Sequence, residues 1–178
     1  MTGKPALRAR LRAARDGFAP VPFPPSLAPF VERLSPNAIV ASYIPVGGEV
    51  DPSPLVAAAR AQGCRLALPH LVDRAGQLRF LAGPADAALM PGPFGLRQPA
   101  ADLPEVAPTI ILTPLVGFDR RGNRLGQGAG HYDRAFAAHP GAWRVGLAWS
   151  VQEVDTLRPD PWDVPLHAII TEQEWITP

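Results

Sequence analysis

Short apolar runs alternate with helix-like segments along this chain. The runs are rich in β-branched residues, which is typical of buried strands. They are residues 38–44 (AIVASYI), 65–69 (RLALP), 109–114 (TIILTP), 144–149 (RVGLAW) and 168–171 (AIIT). Residues 55–62 have a helical pattern instead, with Pro54 near the first turn and Gly63 as the stop signal. This alternation predicts an α/β fold with a mostly parallel open sheet and flanking helices.

The first helix-like segment, residues 4–15 (KPALRARLRAAR), has two distinct faces. Leu7, Leu11 and Ala14 recur at i, i+4 and i+7 and form an apolar face. A second face, about 80° wide at ~100° per residue, carries four cations: Lys4, Arg8, Arg12 and Arg15. Such a face either is solvated or contacts an anionic ligand. The next stretch, residues 19–29, carries five prolines and predicts a linker.

Composition limits the classes of function. The chain has 178 residues, 47% of them hydrophobic, and a net charge of +1, so we expect a single domain over residues 1–178. The small net charge argues against nucleic acid as a partner. The single cysteine, Cys64, excludes an internal disulfide framework, and no apolar run approaches the ~20 residues of a membrane span. The N-terminus has no hydrophobic signal region, so we expect a cytoplasmic protein with no membrane partner. We also expect a monomer.

The most informative segment is residues 118–134, FDRRGNRLGQGAGHYDR. Its glycines fall within nine residues, between a predicted strand and a predicted helix: Gly122, Gly126, Gly128 and Gly130. Successive N–H groups of such a loop, with the helix N-terminus, form an anion-binding nest, and Arg124 and Arg134 could clamp phosphate oxygens. It is not a Walker A loop, because the only lysine is Lys4, and its spacing is not that of the dinucleotide fingerprint. By composition alone, a flexible surface loop is the alternative.

Three carboxylates are candidates for ligand or metal binding. Asp133 lies just inside the predicted helix start and could hold Mg²⁺, which favours one or two carboxylates plus phosphate oxygens. The alternative is an acid that only complements the helix dipole. Asp163 is a possible second ligand or a turn residue. Glu49 follows a strand at the edge where open α/β sheets bind ligands, or is an exposed loop acid.

These motifs occur together, in this order and spacing, in a known family, and the chain resembles the 5-formyltetrahydrofolate cyclo-ligases nearly end to end. The strongest part is Gly122-x-Arg-Leu-Gly-Gln-Gly-x-Gly-x-Tyr-Asp-Arg134. The supporting motifs are Lys4-x-x-x-Arg8, Tyr43-Ile-Pro-x-x-x-Glu49-Val-Asp51, Leu68-Pro69, Gly92-x-Phe-Gly-Leu96, Thr113-Pro-Leu-Val-x-Phe-Asp119, Trp162-Asp-Val-Pro-Leu166 and Ile169-Ile-Thr171.

The resemblance implies a fold of the NagB/RpiA/CoA-transferase type and an ATP- and Mg²⁺-dependent enzyme. The reaction it implies converts 5-formyltetrahydrofolate, a reduced folate, and ATP to 5,10-methenyltetrahydrofolate, ADP and phosphate. By matched position, the ATP contacts would be Lys4, Arg8, Arg124, Leu125, Gly126, Gln127, Gly128, Ala129, Gly130, His131 and Tyr132. The folate contacts would be Ile44, Glu49, Gln127, Gly128, Ala129, Gly130 and His131. Asp133 and Asp163 would bind Mg²⁺.

The chain departs from the family pattern at three positions. His131 stands where the family usually has an aromatic residue, Ala129 where Gly or Lys is common, and Gln98 where Glu-Pro tends to follow the Gly-x-Phe-Gly segment. Two other functions are therefore kept open: a homologue with the same nucleotide loop that acts on another small substrate, and an RNA-binding module built on the basic helix. An imidazole at position 131 could also make activity depend on pH near neutrality.

Overall fold

The computed structural model describes residues 3–73, 76–83 and 88–178. Its helices are α1 (Lys4–Asp16), α2 (Ala28–Val31), α3 (Ser53–Ala61) and α4 (His131–Ala138). Its strands are β1 (Ile39–Ala41), β2 (Arg65–His70), β3 (Arg79–Ala82), β4 (Met90–Pro91), β5 (Arg97–Gln98), β6 (Ile110–Pro114), β7 (Gly117–Phe118), β8 (Arg124–Leu125), β9 (Trp143–Leu147), β10 (Ala168–Ile170) and β11 (Trp175–Ile176). Short 3₁₀ turns occur at Pro93–Gly95 and Ser150–Gln152. None of the helices described is both long and apolar enough to cross a membrane.

Within the described residues, seven strands form the central sheet in the order β11-β10-β9-β6-β1-β2-β3. The five inner strands pair in parallel, and the two edge strands, β3 and β11, pair antiparallel. Two small antiparallel pairs, β4–β5 and β7–β8, lie outside it. The predicted α/β class with a mostly parallel open sheet is confirmed.

The strand order reverses direction between β1 and β6. From β1 the chain moves to β2 on one side, and it later enters β6 on the other side of β1. The loops that leave the carboxyl ends of these two strands therefore diverge and leave a crevice, where open α/β sheets bind ligands. Those loops are residues 42–52 and residues 115–130, which contain Glu49 and the glycine-rich segment.

Helices cover both faces of the sheet. On one face, Ala135 and Phe136 of α4 pack against the buried side chains Ala41, Ala67, Phe80, Ile111 and Ile169. On the other face, α2 and α3 contribute to a second buried cluster: Phe30, Val40, Leu55, Ala59, Leu112, Val145 and Ile170. Because both faces are filled by apolar side chains, the carboxyl edge is left for polar chemistry.

The helix α1 docks on the β7–β8 hairpin and on the 3₁₀ turn Ser150–Gln152. Leu11 is buried in a third cluster with Val116, Leu125 and Leu157. A Cβ at Gly117 would lie 2.4 Å from Cδ1 of Leu11, so the hairpin strand needs glycine for this close approach. The hairpin thereby holds α1 against the start of the glycine-rich loop.

The predicted linker at residues 19–29 is wrong. The ring of Phe18, just before it, lies 5.2 Å from that of Trp149, and the ring of Phe23 lies 5.9 Å from it. Both aromatic side chains pack on the second cluster, and α2 begins at Ala28. The prolines prevent regular structure here, but the segment covers the sheet.

Several predicted boundaries also differ. The predicted strand at 38–44 ends at Ala41, after which the chain turns into the ligand loop. The first half of segment 118–134 forms the turn and second strand of a hairpin, and α4 begins at His131. The sequence also predicts a turn at 74–77 and, from its prolines, a loop-rich stretch at 82–108. Residues 74, 75 and 84–87 of these segments lie outside the described part.

Gly122, in the turn of the hairpin, provides a first test of this fold. Its φ is +82°, and an added Cβ would lie 2.7 Å from the carbonyl oxygen of Leu166. We expect Gly122→Ala to lower the free energy of unfolding by about 2 kcal/mol, because both backbone strain and a clash with backbone oppose it. Chemical denaturation measures this. The control is Gly141→Ala, where a Cβ meets nothing within 4 Å; equal stabilities of the two variants would contradict the prediction.

Candidate active site

Four of the five cations of α1, here called the basic stripe (Lys4, Arg8, Arg12 and Arg15), contact other parts of the chain. Nζ of Lys4 donates to Oδ2 of Asp160 at 2.5 Å. Nε of Arg8 donates to the Gly126 carbonyl at 2.8 Å, and Nη2 of Arg12 donates to Oε1 of Gln127 at 2.5 Å. Nη1 of Arg15 lies 3.8 Å from Oε1 of Glu49. The stripe therefore contacts Asp160, the glycine-rich loop and the loop after β1.

The glycine-rich loop has the backbone of an anion nest. Gly128 has a φ of +105°, and Gly130, the N-cap of α4, has a φ of +69°. Left-handed glycines are typical of loops whose N–H groups converge on an anion, and this loop leads into the positive end of α4. A Cβ at Gly128 would lie 3.4 Å from Cζ of Arg8, so this guanidinium borders the nest directly.

Arg124 lies behind the loop. Its guanidinium donates to the carboxylate of Asp133 and to the carbonyl of Val164, and its Cζ lies 4.6 Å from the centre of the Phe136 ring. Burial lowers the pKa of Arg124, and the charge of Asp133 opposes that shift. Arg124 thus fixes the orientation of Asp133 in this structure.

The second flanking arginine, Arg134, holds the loop from outside. It donates to the carbonyls of Ala129 at 3.0 Å and Gly76 at 3.3 Å. Its Nη2 also lies 2.9 Å from Nδ1 of His131. Because guanidinium only donates, Nδ1 accepts this bond and the proton of the neutral imidazole is assigned to Nε2.

The two aspartates predicted to bind metal lie at the same end of the site. The backbone N–H of Val164 donates to Oδ1 of Asp133 at 3.3 Å, which brings the residue after Asp163 against Asp133. Oδ2 of Asp163 accepts from the Asp160 N–H at 2.8 Å and lies 3.5 Å from Nζ of Lys4. Each aspartate uses one oxygen for these contacts. The described residues contain no group of three or more His, Cys, Asp or Glu residues that could hold a metal, so a cation here needs other ligands as well.

Lys4 therefore connects the basic stripe to Asp160 and Asp163. Partial burial disfavours its charge, but Asp160 and Asp163 outweigh that effect and raise the pKa of the ammonium. The amine is consequently charged at neutral pH and available to an anion that displaces a carboxylate.

Glu49 lies in the loop that follows β1, where it meets the last turn of α1. Its Oε2 accepts from the Val46 N–H at 3.0 Å, and its side chain is 9% exposed. Burial raises the pKa of Glu49, which the Val46 amide, Arg15 and a hydrogen bond with Gln127 partly offset. Ile44, half-buried, precedes it in the same loop. The loop after β1 and the glycine-rich loop thus meet at Glu49 and Gln127.

Tyr132, in the first turn of α4, closes the apolar side of the crevice. Its ring lies 6.0 Å from that of Phe136, and it packs against the first buried cluster. Burial raises the pKa of its hydroxyl, and Glu49 raises it further. Tyr132 is therefore a neutral hydrogen-bond donor at physiological pH.

Asp119 organises the site, although the sequence analysis assigned it no role. It is fully buried and accepts hydrogen bonds from the N–H of Arg121 at 3.0 Å, the N–H of Asn123 at 3.1 Å and its Nδ2 at 2.9 Å, and the N–H of Leu157 at 2.8 Å. It thereby shapes the hairpin turn and ties it to the segment leading to the aspartates. An aspartate just ahead of a Gly-Asn turn is the available sequence signal.

Gln98, one of the departures, is structural. Its Oε1 accepts from the N–H of Leu71 at 3.0 Å, and its Nε2 donates to the carbonyl of Leu71 at 3.1 Å. Only an amide makes both bonds, since a carboxylate has no donor. Gln98 therefore anchors the segment that follows β2.

Comparison with known proteins identifies the family. The model of the 5-formyltetrahydrofolate cyclo-ligase family matches residues 26–172. The chain belongs to this family. It is 36% identical to the 5-formyltetrahydrofolate cyclo-ligase of Escherichia coli K12 over 146 residues, which is 76% of this chain and 80% of that protein. It is 35% identical to the cyclo-ligase of Haemophilus influenzae over 142 residues, 74% of each chain.

Solved structures of cyclo-ligases, also called methenyltetrahydrofolate synthetases, share the fold. The Aquifex aeolicus 5,10-methenyltetrahydrofolate synthetase superposes with a TM-score of 0.76 at 28% identity, covering 98% of this chain and 92% of that one. The Mycoplasma pneumoniae 5,10-methenyltetrahydrofolate synthetase superposes with a TM-score of 0.73 at 24% identity, covering 96% of this chain and 99% of that one. At this identity, the likeness supports the fold alone. The family model begins after α1, so the roles of the basic stripe rest on the contacts described above.

Proposed function

We propose that this cyclo-ligase family member converts 5-formyltetrahydrofolate and ATP, with Mg²⁺, into 5,10-methenyltetrahydrofolate, ADP and phosphate. The observation that carries the proposal is the meeting of three features at one crevice. They are the basic stripe, the glycine-rich nest, and the carboxylates of Glu49, Asp133 and Asp163. Family membership and the named activity of the relatives support the same reaction.

The triphosphate would lie between the nest and the basic stripe. Lys4 and Arg8 are one helical turn apart, so both can reach one anion. The residues from Arg124 to Tyr132 would wrap it, with backbone N–H groups of the loop as donors. Of these, Arg124 would act through Asp133, because its own donors already bind Asp133 and Val164.

The donor set fits Mg²⁺. Asp133 and Asp163 each keep one carboxylate oxygen outside the hydrogen bonds described above, and Mg²⁺ takes one or two carboxylates and completes its shell with phosphate and water oxygens. When bound, the ion would neutralise charge on the phosphates during transfer. Arg124 and the Val164 amide would keep Asp133 turned toward it.

The reduced folate would occupy the opposite side, over Ile44 and the glycine-rich loop. The carboxylate of Glu49 accepts hydrogen bonds, and the reduced pterin ring offers N–H groups that donate them. Residues Gln127 to His131 would then lie between the two substrates.

The chemistry consists of a phosphoryl transfer followed by ring closure. The formyl oxygen attacks the γ-phosphorus and the bond to ADP breaks, which leaves an iminium phosphate on the folate. N10 attacks the formyl carbon, the N10 proton leaves, and the carbon–oxygen bond then breaks to release phosphate. The chain's own contribution is to align the formyl oxygen with the γ-phosphate and to stabilise charge with the stripe and the nest.

Incubating the protein with 5-formyltetrahydrofolate and MgATP tests the proposal directly. We expect the absorbance of methenyltetrahydrofolate to appear together with one phosphate per folate converted. Tetrahydrofolate, which lacks the formyl group, is the control and should release no phosphate above background. Phosphate release from another small substrate, with no methenyltetrahydrofolate formed, would replace this function by the alternative homologue.

A further inference from the structure

Arg15 is the one buried member of the basic stripe, and it contacts Glu49 instead of the glycine-rich loop. It lies in the last turn of α1 with its side chain 8% exposed. Its Nε donates to Oδ1 of Asp16 at 3.0 Å. Its Nη1 is shielded from solvent and has no hydrogen-bond partner in the part of the chain that the structure describes. A buried unpaired donor is costly, so a polar partner that completes its shell is expected in the working enzyme.

The group that Nη1 faces is Glu49. The distance to Oε1 of Glu49 is 3.8 Å, beyond a hydrogen bond but within an ion pair. The other oxygen, Oε2, is already held by the Val46 N–H. One oxygen is thus fixed by backbone, the second faces Arg15, and the carboxylate also has a hydrogen bond with Gln127.

The surroundings of this carboxylate make Arg15 its main source of positive charge. The titratable and charged groups that face it come from three parts of the fold: Arg15 and Asp16 of α1, Tyr43 after β1, and Tyr132 of α4. Asp16 disfavours the ionised form, and both tyrosines are neutral. Burial raises the pKa of Glu49, and Arg15 is the only cation among these groups that lowers it.

We propose that Arg15 is a positioning residue: it keeps the Glu49 carboxylate ionised and turned toward the N–H groups of the reduced pterin. This inference rests on the proposed function. When the folate enters, the gap between Nη1 and Oε1 shortens to a hydrogen bond, so the carboxylate is held by a guanidinium and a backbone amide while it accepts from the substrate. The planar guanidinium suits this geometry better than an ammonium would.

Variants at Arg15 test the inference, because they should change the kinetic constants for the folate and leave those for ATP nearly unchanged. We expect Arg15→Met to lower kcat/KM for 5-formyltetrahydrofolate at least about 30-fold, as for loss of one partner of a buried charge pair. The KM for ATP should change less than about threefold. Arg15→Lys keeps the charge but not the planar donor, so it should recover part of the loss.

The pH profile provides a readout that a merely structural role would not change. Since Arg15 favours the ionised carboxylate, its removal raises the pKa of Glu49 further. The acid limb of kcat/KM should therefore move to higher pH by about one pH unit in Arg15→Met and stay near the wild-type position in Arg15→Lys. In a Glu49→Gln background, Arg15→Met should cost less than about threefold, because its partner is already neutral.

The outcomes separate the two proposals. A wild-type protein that forms no methenyltetrahydrofolate overturns the proposed function and this inference with it. An active wild type overturns only the role of Arg15 if Arg15→Met leaves the acid limb in place, or if its loss is fully additive with Glu49→Gln. Thermal melting of each variant confirms folding, and Arg15→Gln, neutral but polar, replaces Arg15→Met in the same comparison if the latter does not fold.

Discussion

We expect Asp133→Asn to lower MgATP-dependent turnover at least about 100-fold, or about 3 kcal/mol of transition-state stabilisation. The substitution keeps the shape of the side chain but removes the negative charge that a cation and Arg124 both need. Because Arg124 is buried against this carboxylate, the variant should also be less stable, by about 1–3 kcal/mol. Initial rates at saturating folate, measured over a Mg²⁺ titration, give the first effect, and thermal melting gives the second.

Two companion variants make the result specific. Asp163→Asn should reduce turnover more mildly, about 10-fold, because Oδ2 of Asp163 already interacts with Lys4 and with the backbone N–H of Asp160. Asp155→Asn, at an exposed position in the same region, is the matched control and should behave as wild type. Near-wild-type turnover of folded Asp133→Asn at saturating Mg²⁺ would rule out its role in metal binding.

The second large effect concerns the start of the basic stripe. We expect the double variant Lys4→Met/Arg8→Met to weaken ATP binding about 100-fold, since each charge-assisted contact to phosphate contributes about 1.5 kcal/mol. Isothermal calorimetry with MgATP measures this. Point substitutions are preferable to deleting residues 1–8, because the deletion also removes Leu7, which packs against the cluster around Leu11.

Arg10 provides the control for this experiment. It lies on the same helix but on an exposed face, so Arg10→Met removes a like charge without touching the nest. Its ATP affinity should remain within about twofold of wild type. Unchanged affinity in the Lys4→Met/Arg8→Met variant would mean that the stripe serves the fold and not the nucleotide.

Much of the fold was predictable because the strongest strands are continuous apolar runs buried on both sides. Ile110–Pro114 and Ala168–Ile170 are such strands, and their sequences allow little else. The β7–β8 hairpin was not predictable, since its strands have two residues each and a glycine-rich composition. For residues 19–29, the prolines predict a linker because they act on the local backbone. The packing of Phe23 on Trp149 is a tertiary contact that local sequence does not reveal.

For the site, the sequence indicated which residues take part but did not indicate which groups they contact. The helical spacing of Lys4 and Arg8 places them on one face, but only the fold shows that the face meets Asp163 and Gly126. Arg124 looked like a phosphate clamp because it flanks the glycines, and its burial against Asp133 could not be deduced from spacing. The pairing of Arg15 with Glu49 joins two segments that share no motif.

The docking of α1 on the β7–β8 hairpin also sets an order of events during synthesis. Nζ of Lys4 meets a carboxylate 159 positions further along the chain, and Arg8 meets a carbonyl 118 positions away. While the ribosome makes the first strands, α1 has no hairpin to receive Leu11, and its apolar face stays open to solvent or to chaperones. The sheet can begin to form before the helix that completes the crevice is in place. Catalytic competence should therefore appear late in folding, after most of the β-structure has formed, when the two ends of the polypeptide are brought together.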